Sequence, residues 1–229
     1  MSDIATNLQA VRERIRQAAS AAGRAPEAVQ LLAVSKTWPA ASVREAAAAG
    51  QTAFGENYVQ EGVAKIGELA GNGLQWHFIG PLQSNKTRPV AEHFDWVHSI
   101  DRLKIAERLS EQRPRGLPPL QVCVQVNVSG EASKSGCAPE EAAELCRQVA
   151  RLPGLQLRGL MAIPAPADDP EEQRRPLRRL RLLLEELRDG GLALDTLSMG
   201  MSHDLEAAVA EGATIVRIGT AIFGERTYL

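Results

Sequence analysis

LSMGMSHDLEAAVAEGATIVRIGTAIFG, residues 197–224, holds two short apolar runs with a helical stretch between them. The first run leads into a glycine-bearing turn, Met199-Gly200-Met201-Ser202, and residues 204–211 then favour helix, with Gly212 just beyond. Glycine is a common helix stop because it enters the left-handed region without a Cβ clash. The second run, 214–218, is short and rich in β-branched residues, so it reads as a buried strand. A helical crossover between two strands makes them parallel. Ser202 is placed as the N-cap of that helix, where its hydroxyl would accept from a first-turn amide.

Upstream the same rhythm recurs. Apolar runs at 29–34, 53–55, 75–79, 96–98, 120–128, 156–162 and 196–199 bring the strand count to eight with 214–218. Pro39 stands near the start of one intervening helix and Gly50 closes it; Pro139 and Pro170 open two others, the latter behind Asp169 as N-cap. Ile4, Leu8, Val11 and Ile15 recur at helical spacing, so an amphipathic helix ending near Gly23 precedes the first strand. Eight such units predict an α/β fold, a single (β/α)8 TIM barrel with an extra N-terminal helix. An open doubly wound sheet is the rival, but no GxGxxG follows the first strand. The stretches 113–119 and 164–170 are short enough to be loops, so residues 1–229 read as one domain.

Lys and Arg number 26 against 28 Asp and Glu, a net charge of −2, which argues against a general nucleic-acid or anionic-membrane binder. Three cysteines without CxxC spacing fit free thiols in a reducing compartment better than disulfides or zinc. The N-terminus lacks the apolar core of a signal peptide, and no run approaches the roughly 18 apolar residues that span a bilayer. The expected location is the cytoplasm. His93 and His98 show no metal-ligand spacing, so no metal is expected, and His77 in mid-strand reads as a hydrogen-bonded core or rim histidine. Five arginines crowd residues 174–181, while Leu177, Leu180, Leu184 and Leu187 share one helical face, the pattern of a solvated amphipathic helix.

In a barrel, chemistry gathers at the carboxyl ends of the strands. LLAVSKTW, residues 31–38, puts Lys36 there, directly after a buried run. Two readings stand for it alone: a rim lysine reaching into solvent, or a desolvated amine able to attack an aldehyde. The turn at Ser202 and the Gly219-Thr220 pair after the last strand suit a phosphate, since glycines admit close approach and hydroxyls donate. Arg217 alternates with Val216 and Ile218, so it faces the opposite way and needs a partner, an acid or a ligand. An amine, a phosphate cradle and an inward arginine together meet the needs of pyridoxal 5′-phosphate (PLP). An arginine at the ring nitrogen would leave that nitrogen unprotonated and weaken the ring as an electron sink.

AVSKTWP (33–39), FGENYVQE (54–61), WHFIGPLQSNK (76–86), VNVSGEASKSG (126–136), GLMAIP (159–164), the segment 197–212 and VRIGTAIFG (216–224) closely resemble the pyridoxal phosphate homeostasis proteins. That family looks like the cofactor barrel of alanine racemase without its second domain. The resemblance implies covalent attachment of PLP as a Schiff base on Lys36, with Arg217 at the ring nitrogen and Asn57 near the ring. It places phosphate contacts on Ser202, Gly219 and Thr220, with the backbone of Met199, Gly200 and Met201. The expected function is PLP homeostasis: a monomer that buffers PLP and supplies PLP-dependent apo-enzymes without turnover of its own.

A racemase-like PLP enzyme is the alternative, and a barrel for another phosphorylated metabolite is a third. Racemisation needs acid–base groups on both faces of the substrate carbon. In alanine racemase the second is a tyrosine from another domain and the partner subunit, whereas this chain has Tyr58 and Tyr228 and is expected to stop after the last strand. Lys134 is a second rim lysine, read as a solvated loop residue. Asn127 and Met161, at the ends of strands five and six, are expected to line the pocket floor.

Overall fold

The computed structural model describes residues 4–130 and 135–225. Helix α1 (Ile4–Ala21) is followed by β1 (Gln30–Val34), α2 (Ala40–Ala48), β2 (Ala53–Glu56), α3 (Val59–Glu68), β3 (Gln75–Phe78), α4 (Thr87–His93), β4 (Trp96–Ile100) and α5 (Leu103–Gln112). The second half runs β5 (Leu120–Gln125), α6 (Pro139–Val149), β6 (Leu155–Met161), α7 (Pro170–Asp189), β7 (Thr196–Ser198), α8 (Leu205–Ala210), β8 (Ile215–Ile218) and α9 (Thr220–Phe223). The strands form a closed barrel in chain order. Each neighbouring pair is parallel, and β8 closes on β1 with Leu31 opposite Val216 and Leu32 opposite Arg217.

All eight anticipated strands are present, with differences at their ends. β5 stops at Gln125, and Val126 then makes an isolated bridge to Cys137 instead of prolonging the strand. β4 runs on to Ile100 through a register shift after Val97. Asp169 caps α7 as anticipated, its carboxylate accepting from the amides of Glu171 and Glu172 at 2.9 Å. The helix after β7 is shorter than its sequence suggested: it begins at Leu205, with Asp204 and not Ser202 at the N-cap position. Asp204 instead turns its carboxylate back to the Met201 amide, 2.6 Å, so that the residues before it form a turn.

Strand alternation divides the core in two. Leu31, Ala33, Phe54, Phe78, Val97, Leu197 and Val216 point outward under the helices. Leu32, Val34, Ala53, Ile79, Trp96, Cys123, Met161 and Ile215 fill the barrel interior. Gly159 marks a close approach in that wall, because a Cβ there would lie 1.8 Å from the Thr196 carbonyl oxygen of β7. Helix α1 lies outside the ring, packing on α2, α8 and α9 through Leu8, Val11 and Ile15, all buried.

Candidate functional site

At the carboxyl-end mouth of the barrel is a cavity of about 290 Å³, near the lower bound of about 300 Å³ for small-molecule sites. Its wall carries Lys36, Asn57, Met201, Ser202, Arg217, Gly219 and Thr220, with Val34, Ile79, Ile163 and His203. Lys36 reaches it because alternation gives residue 36 the inward side that Leu32 and Val34 occupy below. Met199 and Gly200, also expected there, are not on that wall and pack on the helix side of the barrel. The Met199 amide is committed to the Ile215 carbonyl, 3.1 Å, and the Gly200 carbonyl accepts from the Arg217 amide, 2.9 Å. Gly200 has φ +98° and packs so tightly on Ala208 that a Cβ would come within 2.6 Å of that methyl. Asn127 and Met161 do not reach the wall; Met161 packs inside the barrel, and the Asn127 side chain accepts from the Gly130 amide, 3.1 Å.

Arg217 is buried, and its guanidinium bonds to neutral oxygens instead of a carboxylate. Nη1 donates to the Ser198 carbonyl at 2.6 Å and to its Oγ at 2.8 Å, while Nη2 donates to the Ala162 carbonyl at 2.8 Å. Burial pushes its pKa down to about 10, so the group stays charged at neutral pH. Behind it a hydrogen-bonded chain crosses the barrel: Ser198 Oγ to His98 Nδ1 at 2.7 Å, His98 Nε2 to His77 Nδ1 at 2.8 Å, and His77 Nε2 to Gln75 Oε1 at 2.9 Å. Burial holds His77 down to about 3 and His98 well below the ordinary histidine value, so both rings are neutral. With neutral rings, His77 donates to Gln75, His98 donates to His77, and the Ser198 hydroxyl donates to His98. Sequence reasoning read His77 as a hydrogen-bonded core or rim histidine but missed this chain, because its members come from three different strands.

One end of the cavity is built by two turns. Ser202 lies in the turn before α8, and its carbonyl accepts from Arg14 Nη1 of α1 at 2.7 Å. Gly219 is the N-cap residue of α9 and Thr220 its first residue, and the Gly219 carbonyl accepts from the Ile222 and Phe223 amides at 2.9 and 3.0 Å. Asn57 Oδ1 is buried without a hydrogen-bond partner among the described residues and borders the same cavity, an acceptor placed for a ligand donor. One amine, one charged guanidinium, an orphaned amide oxygen and hydroxyl-bearing turns fit an aldehyde-bearing heteroaromatic phosphate. They do not form a metal centre: no cluster of three His, Cys, Asp or Glu occurs among the described residues.

Lys134 and Tyr228 lie outside the described residues. Cys123, Cys137 and Cys146 are free and buried. Burial pushes Cys137 up to about 11 and Cys146 up to about 12, so they act as packing groups. No described helix is long and apolar enough to cross a membrane.

Residues 6–227 match the family model described as alanine racemase, N-terminal domain. The chain is 67% identical over 228 residues to a pyridoxal phosphate homeostasis protein of Pseudomonas aeruginosa, covering all of this chain and 98% of the relative. It is 58% identical over 231 residues to one from Escherichia coli K12, covering all of this chain and 99% of that one. Among solved structures it is similar to PipY of Synechococcus elongatus PCC7942 with PLP bound: TM-score 0.84, 41% identity, 96% of this chain and all of that one.

Proposed function

Since the chain belongs to the pyridoxal phosphate homeostasis proteins, within the alanine racemase N-terminal-domain family, we propose that it binds PLP on Lys36 and acts in PLP homeostasis. The observation that carries this reading is one cavity on which Lys36, the neutral-partnered Arg217 and the turns at Ser202 and Gly219-Thr220 all open. PipY, 41% identical over its whole length, was solved with PLP bound. PLP supplies a reactive aldehyde and an anionic handle. Lys36 holds the aldehyde end covalently, Arg217 donates towards the ring nitrogen, Asn57 Oδ1 accepts from a ring substituent, and Ser202 and the Gly219-Thr220 turn grip the phosphate.

Arg217 remains cationic and donates hydrogen bonds to Ser198 and Ala162, so the ring nitrogen meets a donor that does not surrender a proton. Lys36 and His203 are the other titratable groups on the described wall, and Tyr58 stands more than half exposed outside it. That favours holding and releasing the cofactor over proton transfer on both faces of a substrate. In this reading the protein works in the cytoplasm as a monomer that hands PLP to apo-enzymes and takes no nucleic acid.

Borohydride reduction of the PLP-loaded chain followed by peptide mapping tests the core of the proposal. The expected adduct lies on Lys36 and disappears in Lys36→Ala. Capture on another lysine, or on none, overturns it. Turnover of any amino acid in a substrate panel overturns the homeostasis reading in favour of an enzyme.

A further inference from the structure

Lys36 is flanked by two unusual residues. Ser35 is buried, and its carbonyl accepts from Lys65 Nζ at 2.7 Å. Thr37 has φ +69° and is the one non-glycine residue with positive φ among the described residues. For a β-branched side chain that region is strongly disfavoured, so something must hold it. The Thr37 amide donates to Glu61 Oε1 at 2.5 Å, and the same oxygen accepts from Lys65 Nζ at 2.6 Å. Lys65 also donates to Glu56 Oε1 at 2.7 Å, and the Ser35 hydroxyl donates to that atom at 2.6 Å.

The cluster lies between the barrel wall and α3. Glu56 ends β2, while Glu61 and Lys65 are one turn apart on α3. Lys65 is 5% exposed and Glu56 fully buried, an arrangement whose desolvation is hard to justify by stability alone. Its hydrogen bonds end on the backbone just before and just after Lys36. Neither Glu61 nor Lys65 is among the residues that line the cavity.

We propose that Glu61 and Lys65 are positioning residues for Lys36, clamping Ser35 from one side and Thr37 from the other so that the amine enters the barrel mouth. The clamp turns the chain sharply after β1: Thr37 adopts the strained conformation, and the next residues leave towards α2 while residue 36 keeps the inward side. The inference rests on the reading of Lys36 as the PLP lysine and adds what directs it.

The test compares Glu61→Ala, Glu61→Gln, Lys65→Met, Thr37→Gly and the double variant Glu61→Ala/Thr37→Gly. Each is treated with PLP at a fixed subsaturating concentration, reduced with borohydride and mapped for occupancy of Lys36, with its thermal midpoint recorded beside it. Non-covalent PLP binding is measured in the same variants on a Lys36→Ala background. Glu61→Ala and Lys65→Met are expected to lower the apparent constant for capture on Lys36 by about tenfold, the scale of one left-handed non-glycine residue. Non-covalent binding should stay within about twofold. Glu61→Gln keeps an acceptor oxygen for the Thr37 amide and retains most of the capture. Glycine at 37 needs no clamp to adopt positive φ, so the double variant recovers much of what Glu61→Ala loses.

Capture unchanged in Glu61→Ala, or a loss that glycine at 37 does not relieve, overturns the clamp. So does a fall in capture that merely follows the thermal midpoint across the set. If Lys65→Met does not fold, the Glu61 and Thr37 variants decide, because both residues lie at the edge of the cluster. Failure of the unmutated chain to form a Lys36 adduct overturns the functional reading and the clamp with it; an adduct indifferent to these substitutions overturns the clamp alone.

Discussion

Arg217, Ser198, His98 and His77 together fix an arginine inside a barrel without using a buried acid. Neutral oxygens satisfy three donor contacts, and the histidines pass the hydrogen bonding on to Gln75. This arrangement ties stability to pH. The folded imidazole of His77 titrates near 3 because it is buried, against about 6.5 in the unfolded chain. Between those values the unfolded chain binds the proton and the folded one does not, so stability is full above about pH 6.5 and falls as pH drops towards 3. Each neutral buried histidine steepens that fall by about 1.4 kcal/mol per pH unit. Unfolding free energies of the unmutated chain and His77→Gln, measured from pH 7 to pH 4, should differ by that slope. Parallel curves would mean that the folded protein carries a charged His77.

Among the elements, α7 gives a use to the run of arginines at 174–181. Its leucine face, Leu177, Leu180, Leu184 and Leu187, is buried against the barrel, as the periodicity indicated. On its flank Arg174, Arg178 and Arg181 reach the carboxylate of Glu211, at 2.8, 3.2 and 3.4 Å, just after α8. Burial pushes the Glu211 carboxyl up, and the guanidiniums of Arg174 and Arg178 more than offset it. Two of them, Arg174 and Arg178, are more than a third exposed, so water screens much of that attraction. Chemical denaturation should therefore rank the variants clearly: Glu211→Gln costing about 1–2 kcal/mol, Leu180→Ala about 2–5 kcal/mol. The reverse order would show that α7 is held by charge more than by its apolar face.

For the molecule as a whole, the added helix α1 joins the first residues to the candidate phosphate end. Arg14 donates to the Ser202 carbonyl and makes two 2.6 Å bonds to Glu206 in the first turn of α8, across 188 and 192 positions of sequence. The ion pair is exposed and contributes about 1 kcal/mol or less. Its effect is local order in the turn that carries Ser202. Arg14→Ala is expected to weaken PLP binding several-fold while the unfolding free energy moves by no more than about 1 kcal/mol. Equilibrium dialysis beside denaturant melts reads both; an unaltered affinity would assign α1 to packing alone.

Strand number, parallel order, the rim position of Lys36 and the side of Arg217 opposite its neighbours were legible in the sequence, because period-two alternation and helical crossovers are local properties. The positions of Ser202, Gly219 and Thr220 near one another followed from their place after the last two strands of a closed ring. Which atoms meet was decided by tertiary structure. Closing the barrel sets His98 beside Ser198, 100 positions away, and Arg217 beside the Ala162 carbonyl, 55 positions away. No periodicity encodes such pairs. The displacement of the helix start from Ser202 to Asp204, the packing of Met199 and Gly200 on the helix side of the barrel wall, and the Glu61 contact to Thr37 have the same origin. Each depends on where a neighbouring element supplies a donor, an acceptor or a wall once the ring has closed.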